Sequence, residues 1–170
     1  MSRNLVTAAM IVALLWAAAA AAAEKNWTPP GYKLYGQVLS DEFMRANPDL
    51  LSITLHGVPP GLNGVYTMFA GSFPDRIGNA DDPDDIDVIR KGITIVDPRW
   101  NRVNDTVPKF VVLAPMRNAS GDNIGLVVYA FKVAERSNRH ERQLYARALE
   151  LRDALAKRIP NYEALFAEAK

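Results

Sequence analysis

The stretch KFVVLAPMRNASGDNIGLVVYAFK, Lys109 to Lys132, holds two runs of β-forming side chains on either side of RNASGD. Ser120-Gly121-Asp122 is turn chemistry, so the two runs read as strands folded back on each other. Both are apolar at odd and even positions alike, which implies a sheet covered on both faces.

Upstream, ITIVD (Ile93–Asp97) is a short strand, and the polar loop PRWNRVNDTVP follows it. In LLSITLHGVPPG, Leu51, Ile53 and Leu55 alternate with Ser52, Thr54 and His56, the period of two expected of a strand. VYTMFAGSF (Val65–Phe73) is a second strand, reached through an irregular hairpin broken by Pro59-Pro60-Gly61. From Lys33 to Ala46 the apolar Leu34, Val38, Leu39, Phe43 and Ala46 recur at helical spacing, and Asn47-Pro48 ends that helix. Between Ala134 and Ile159 a second helical stripe runs through Leu144, Ala148, Leu151 and Leu155, with Pro160 as its breaker.

Between the second and third strands lies FPDRIGNADDPDDIDVIRKG, Phe73 to Gly92, with aspartates at 81, 82, 84, 85 and 87. An EF-hand loop needs acids at its positions 1, 3 and 5, glycine at 6 and glutamate at 12. Counted from Asp82, position 5 is Ile86 and position 12 is Ile93; counted from Asp81, position 6 is Ile86. Neither register fits. A paired-carboxylate catalyst needs two acids in different environments, whereas acids on one exposed turn are expected to stay ionised together. A short capped helix accounts for every residue. Asp82 caps, Pro83 opens the first turn, Asp84 and Asp85 meet the positive end of the dipole, and Gly92 closes. The acids are then expected to wall a site without performing its chemistry.

The resulting order is helix, two strands, helix, three strands, helix. It fits an α+β fold with one antiparallel sheet and helices packed on it.

Residues 1–23 have the layout of a secretory signal peptide: Arg3, an apolar run, then alanines up to Ala23. Cleavage there leaves about 150 residues, enough for a single core. Loss of Arg3 leaves the basic residues equal in number to the 19 acidic ones. Nucleic acid and anionic membrane surfaces are therefore not expected partners. With no cysteine, thiol catalysis, c-type haem attachment and cysteine-ligated zinc are excluded, and an exported domain must rely on its core alone. A periplasmic or secreted location is expected. Sequons occur at Asn26, Asn104 and Asn118.

Together, SITLHGVPPG, DRIGNADDPDDIDVIRKG and MRNASGDNIGLVVYAF resemble the PAS-like Cache sensor domains, the extracytoplasmic ligand-binding modules of bacterial receptors. The likeness spans Tyr32 to Phe166. RIPNYEALF is similar to the single-Cache proteins secreted on their own. The resemblance implies a five-stranded antiparallel sheet with a long N-terminal helix behind it, a short helix between strands 2 and 3, and a C-terminal helix. It implies a small-molecule pocket on the other face, under the short helix and neighbouring loops. The expected division is a signal peptide at 1–23, a lead-in at 24–32, a Cache-like domain at 33–132 and a C-terminal helical extension at 133–170. No second Cache unit, membrane span or transmitter is expected after the signal. Output would then pass to another chain, a membrane receptor or a second copy.

The family supplies no fixed ligand motif. His56, Tyr66, Ser72, Trp100 and Arg102 are the candidate ligand-binding residues, Arg102 because its planar fork suits a carboxylate. Arg76 is a candidate to tie down the aspartates. No cofactor or metal is expected, and no enzyme: there is no G-x-S-x-G, H-E-x-x-H or P-loop. A hydrolase would have to use His56, since the only other histidine, His140, lies in the polar start of the C-terminal helix. A secreted protein-interaction or dimerisation module built on that helix is the remaining alternative.

Overall fold

The computed structural model describes residues 24–98, 107–133 and 137–169. The expected signal peptide lies outside them. Three α-helices and five strands follow in the order read from the sequence: α1 (Tyr35–Ala46), β1 (Leu50–Gly57), β2 (Thr67–Gly71), α2 (Pro83–Lys91), β3 (Ile95–Val96), β4 (Lys109–Arg117), β5 (Asn123–Lys132) and α3 (Asn138–Ala156). The strands form one antiparallel sheet of order β2-β1-β5-β4-β3. It is an α+β fold with the PAS-like sheet that the sequence implied. None of the described helices is long and apolar enough to cross a membrane.

Several boundaries differ from the sequence reading. β2 stops short of Val65 and Phe73: before it the Tyr66 carbonyl accepts from the Asp81 N–H, and after it a helical turn starts at Pro74. β3 keeps only Ile95 and Val96, which pair with Leu113 and Val112. α1 has 12 residues and α3 has 19, so the longer helix is the C-terminal one.

Alternation along the strands sorts side chains onto two unequal faces. On one face Ile53, Leu55, Val112, Val127, Tyr129 and Phe131 are buried under α1, α3 and the final turns. Leu151, Leu155, Ile159 and Leu165 close this core, so the C-terminal segment packs against the same sheet as the domain before it. Each fully buried aliphatic or aromatic side chain contributes about 1.5–3 kcal/mol, which makes this face the main store of stability. The other face is smaller. There Val88 of α2 packs with Val111, Leu113, Leu126 and Ala130. A bulge between Leu50 and Ser52 puts Leu51 on this second face, while Ile53 and Leu55 stay on the first.

The lead-in is tied to the loop after β2. The Asn26 N–H donates to the Gly78 carbonyl at 2.9 Å and the Ala80 N–H to the Glu24 carbonyl at 2.9 Å. Gly78 has φ +89° and no room for a side chain, since a Cβ would collide with the Trp27 carbonyl. At the β4–β5 turn the Asn118 Oδ1 accepts from the N–H groups of Ser120 and Asp122 at 3.0 and 2.9 Å. Its Nδ2 donates to Asp122 at 2.9 Å, so this buried sequon side chain is spent on the turn.

At Gly125 there is no room for a side chain between β5 and β1: a Cβ there would sit 2.6 Å from the His56 carbonyl oxygen and 2.8 Å from Met116 Cε. Gly125→Val should therefore cost about 3 kcal/mol in urea unfolding, the upper end of the overpacking range, by displacing the strand. Gly121→Ala, at φ +89° with nothing nearby, should cost only the local strain of about 1–2 kcal/mol. Equal losses at the two positions would contradict this account of the sheet.

Candidate functional site

Period-two alternation turns Ser52, Thr54 and His56 toward the α2 face, and all three are less than 9 % exposed. Thr54 Oγ1 lies 2.7 Å from His56 Nε2. On the ring's other side, Nδ1 lies 2.7 Å from Asp81 Oδ1. Asp81 comes from a chain segment running back along the start of β2. The Met68 N–H donates to the Asn79 carbonyl at 3.2 Å and the Asp81 N–H to the Tyr66 carbonyl at 3.1 Å. That pairing brings Asp81 to a histidine 25 residues earlier in the chain.

The next residues build α2 as its sequence demands. Asp82 and Asp85 form a reciprocal capping box, in which the Asp82 N–H donates to Asp85 Oδ2 at 3.2 Å. Pro83 occupies the first turn, and Gly92 closes the helix at φ +65°. Lys91 pairs with Asp87 at 2.7 Å one turn back.

The capping geometry also carries Asp85 inward. One donor atom each from His56, Asp81 and Asp85 lies within 4.8 Å of the others. The Asp81 side chain is 1 % exposed, and its Oδ2 is buried without a hydrogen-bond partner among the described residues. This corrects the expectation that the aspartates sit together on an exposed, fully ionised turn. Two of the five converge on a buried histidine. Burial pushes the Asp85 carboxyl up to about 6, opposed by His56 and by the Asp82 N–H hydrogen bond, with the charge of Asp81 adding to the rise. Burial by itself lowers the His56 pKa, but the charge and hydrogen bond of Asp81, with Asp85 and Asp82 behind it, leave it above its ordinary value. The group can hold and move protons, and its one nitrogen and two carboxylates are a donor set for a cation.

The other candidates lie apart from it. Tyr66 is half-buried just before β2, and its contribution is its carbonyl, which accepts from Asn26 Nδ2 at 2.9 Å and from the Asp81 N–H. Ser72 follows β2 at the other end of that strand. Its hydroxyl is engaged with Ile53, accepting from the N–H at 3.0 Å and donating to the carbonyl at 3.1 Å. Trp100 and Arg102 lie outside the described residues. Arg76 stacks over the Phe73 ring at 4.6 Å, which takes it to an aromatic face and not to the aspartates. An open cleft of about 340 Å³ between β3, β4 and the first turns of α3 is lined by Val96, Phe110, Asn138, Glu141, Arg142 and Tyr145. Phe110 belongs to the larger core, so this cleft is on the opposite face of the sheet from His56.

No family model matches this chain, and no curated protein does. Among solved structures it is similar to the type II free methionine-R-sulfoxide reductase of Thermoplasma acidophilum, with 14 % identity, a TM-score of 0.45, and coverage of 72 % of this chain and 90 % of that one. It is similar to the Agobacterium tumefaciens repressor BlcR, with 12 % identity, a TM-score of 0.45, and coverage of 74 % and 67 %. It is similar to the GAF domain of PixJ from Thermosynechococcus elongatus, with 12 % identity, a TM-score of 0.41, and coverage of 73 % and 83 %. At TM-scores below 0.5 none of the three bears on what this chain binds or does.

Because the folded-state pKa of Asp85 is raised from 3.8 to about 6, the native state holds an extra proton between those values. The stability this group contributes is complete below about pH 4 and is lost as pH rises through about 6. Asp85→Asn removes that loss and keeps an oxygen for the Asp82 N–H. Measured by urea unfolding with a chelator present, the variant should gain on the wild type by about 1–3 kcal/mol between pH 4 and pH 7. A difference that stays flat across that range would contradict the assigned burial.

Proposed function

We propose that this chain is a small-molecule-binding, sensor-type domain acting outside the cytoplasm, with its ligand site on the α2 face of the sheet. One observation carries the reading: His56, Asp81 and Asp85, three ionisable groups, are withdrawn from water together, with one carboxylate oxygen unmatched. Such an arrangement is expensive as mere scaffolding, since apolar residues of similar volume often pack the same space at no loss of stability. Shifted titratable groups held together in this way mark functional sites. The excess of acid over base on this face favours a ligand with positive charge. The family resemblance of the sequence supports the same face, the one under the short helix. The leader-like residues 1–23 support export.

A second reading rests on one specific feature. Thr54, His56 and Asp81 stand in the order hydroxyl, imidazole, carboxylate of a hydrolase triad. Thr54 is only 7 % exposed, which leaves an acyl group no route to its hydroxyl. Binding is therefore placed first.

A thermal-shift screen of amino acids, organic acids, purines and amines, run in a chelator, tests the proposal. A ligand that binds only the native state must raise Tm. The expected result is a hit among the amines that His56→Ala or Asp81→Asn abolishes. A hit that both variants leave intact would place the site elsewhere, and ester turnover lost in Thr54→Val would favour the hydrolase.

A further inference from the structure

We propose that His56, Asp81 and Asp85 hold a divalent transition-metal ion, Zn²⁺ or Mn²⁺, between β1 and the first turn of α2. This deepens the ligand-site reading and rests on it, naming the ligand class as a cation. Three observations support it.

The first is the donor set. One imidazole nitrogen and two carboxylate oxygens lie within 4.8 Å of one another. Zinc takes such donors at about 2.0–2.2 Å, so small side-chain movements would close the shell. Imidazole with carboxylates is a mixed set suited to Zn²⁺ and Mn²⁺, whereas Ca²⁺ collects six to eight oxygens and Mg²⁺ keeps most of its waters.

The second is the unmatched oxygen. Asp81 Oδ2 is buried with no hydrogen-bond partner among the described residues, on a side chain that is 1 % exposed. Buried polar atoms in native proteins are nearly always satisfied, and each exception calls for a cause. Coordination would supply it. Two carboxylates would also be balanced by one divalent ion, which a single imidazole cannot do.

The third is the support around the donors. Metal-binding histidines are oriented through their other ring nitrogen. Here Nε2 lies 2.7 Å from Thr54 Oγ1. With the ring proton on Nε2 and donated to Thr54, Nδ1 presents its lone pair toward Asp81 and Asp85. Asp85 Oδ2 is held at 3.2 Å by the Asp82 N–H, so the carboxylate is oriented by the helix cap. The aspartate stretch thus supplies two ligands, Asp81 before the cap and Asp85 within the first turn, and β1 supplies the third.

The test uses the chain without residues 1–23, stripped with a chelator and dialysed. ZnCl₂ and MnCl₂ are titrated by calorimetry and thermal shift, with CaCl₂ and MgCl₂ as comparisons. Mn²⁺ occupancy is read independently by electron paramagnetic resonance. The expected result is one Zn²⁺ or Mn²⁺ per chain with a raised Tm. Affinity should fall at least tenfold in Asp81→Asn and His56→Ala, and about 10–100-fold in Thr54→Val, which removes only the orienting hydroxyl. Asp85→Asn keeps the helix cap and should also weaken binding, which covers the case in which His56→Ala does not fold. His140→Ala should bind as the wild type does. Absence of saturable binding, or binding lost in His140→Ala and kept in Asp81→Asn, would overturn the proposal. An amine hit in the chelator screen beside a null metal titration would remove the metal ion and leave the ligand site. Nulls in both would remove both.

Discussion

The contact between His56 and Asp81, 2.7 Å long and almost without solvent, ties the central strands of the sheet to the segment that covers its smaller face. It joins the end of β1 to the segment that starts α2, and α2 is the cover of the smaller sheet face. Withdrawing two such ions from water costs several kcal/mol each, and only close pairing with further hydrogen bonds recovers it. The surroundings provide that recovery in part. Thr54 engages the far side of the ring, and the Tyr66 carbonyl fixes the Asp81 backbone. Asp85 stands close by without a direct bond to either partner in the pair. The result is a polar seam laid across a face otherwise closed by Val88 and its aliphatic neighbours.

That seam is tolerable because the opposite face carries most of the stability. Tyr129, Phe131, Leu155 and Ile159 are fully buried there against the helices at both ends of the chain. A domain with one strong core can give its second face to polar groups whose arrangement serves a ligand. Gly125 completes the division. By letting β5 run close to the His56 carbonyl, it fixes the strand that presents the imidazole.

Most of the fold was legible because it is local. Alternation in Ile53–His56, the Ser-Gly-Asp turn, and the Asp82–Pro83…Gly92 signals each involve neighbours in sequence. The strand ends around β2 were not, because Val65 and Phe73 favour extended backbone while the pairing with β1 stops before them. The site was half legible. His56 was picked out as one of two histidines, on the correct face of its strand. Asp85 was read only as a partner of the helix dipole and Asp81 only as one of the acids walling the site, since metal-loop templates test spacing within one segment. Here the third donor lies on β1, and nothing in the spacing of DDPDD refers to it. Thr54, two residues before His56, shared its face and was the one available sign that the ring is held from both sides. Ser72 was named as a ligand contact, yet its hydroxyl is engaged with the Ile53 backbone of β1, a role that its own strand does not reveal.

The central claim is that a carboxylate from the start of α2 grips a buried imidazole on β1. Titrating the His56 ring by ¹⁵N and ¹H NMR in a chelator, with the signal assigned by its loss in His56→Ala, measures this directly. The account predicts a pKa above the ordinary histidine value of about 6.5 and a fall in that pKa when Asp81 is replaced by Asn. A ring that titrates below 6.5, and is unchanged by Asp81→Asn, would show burial without the partner and contradict the account.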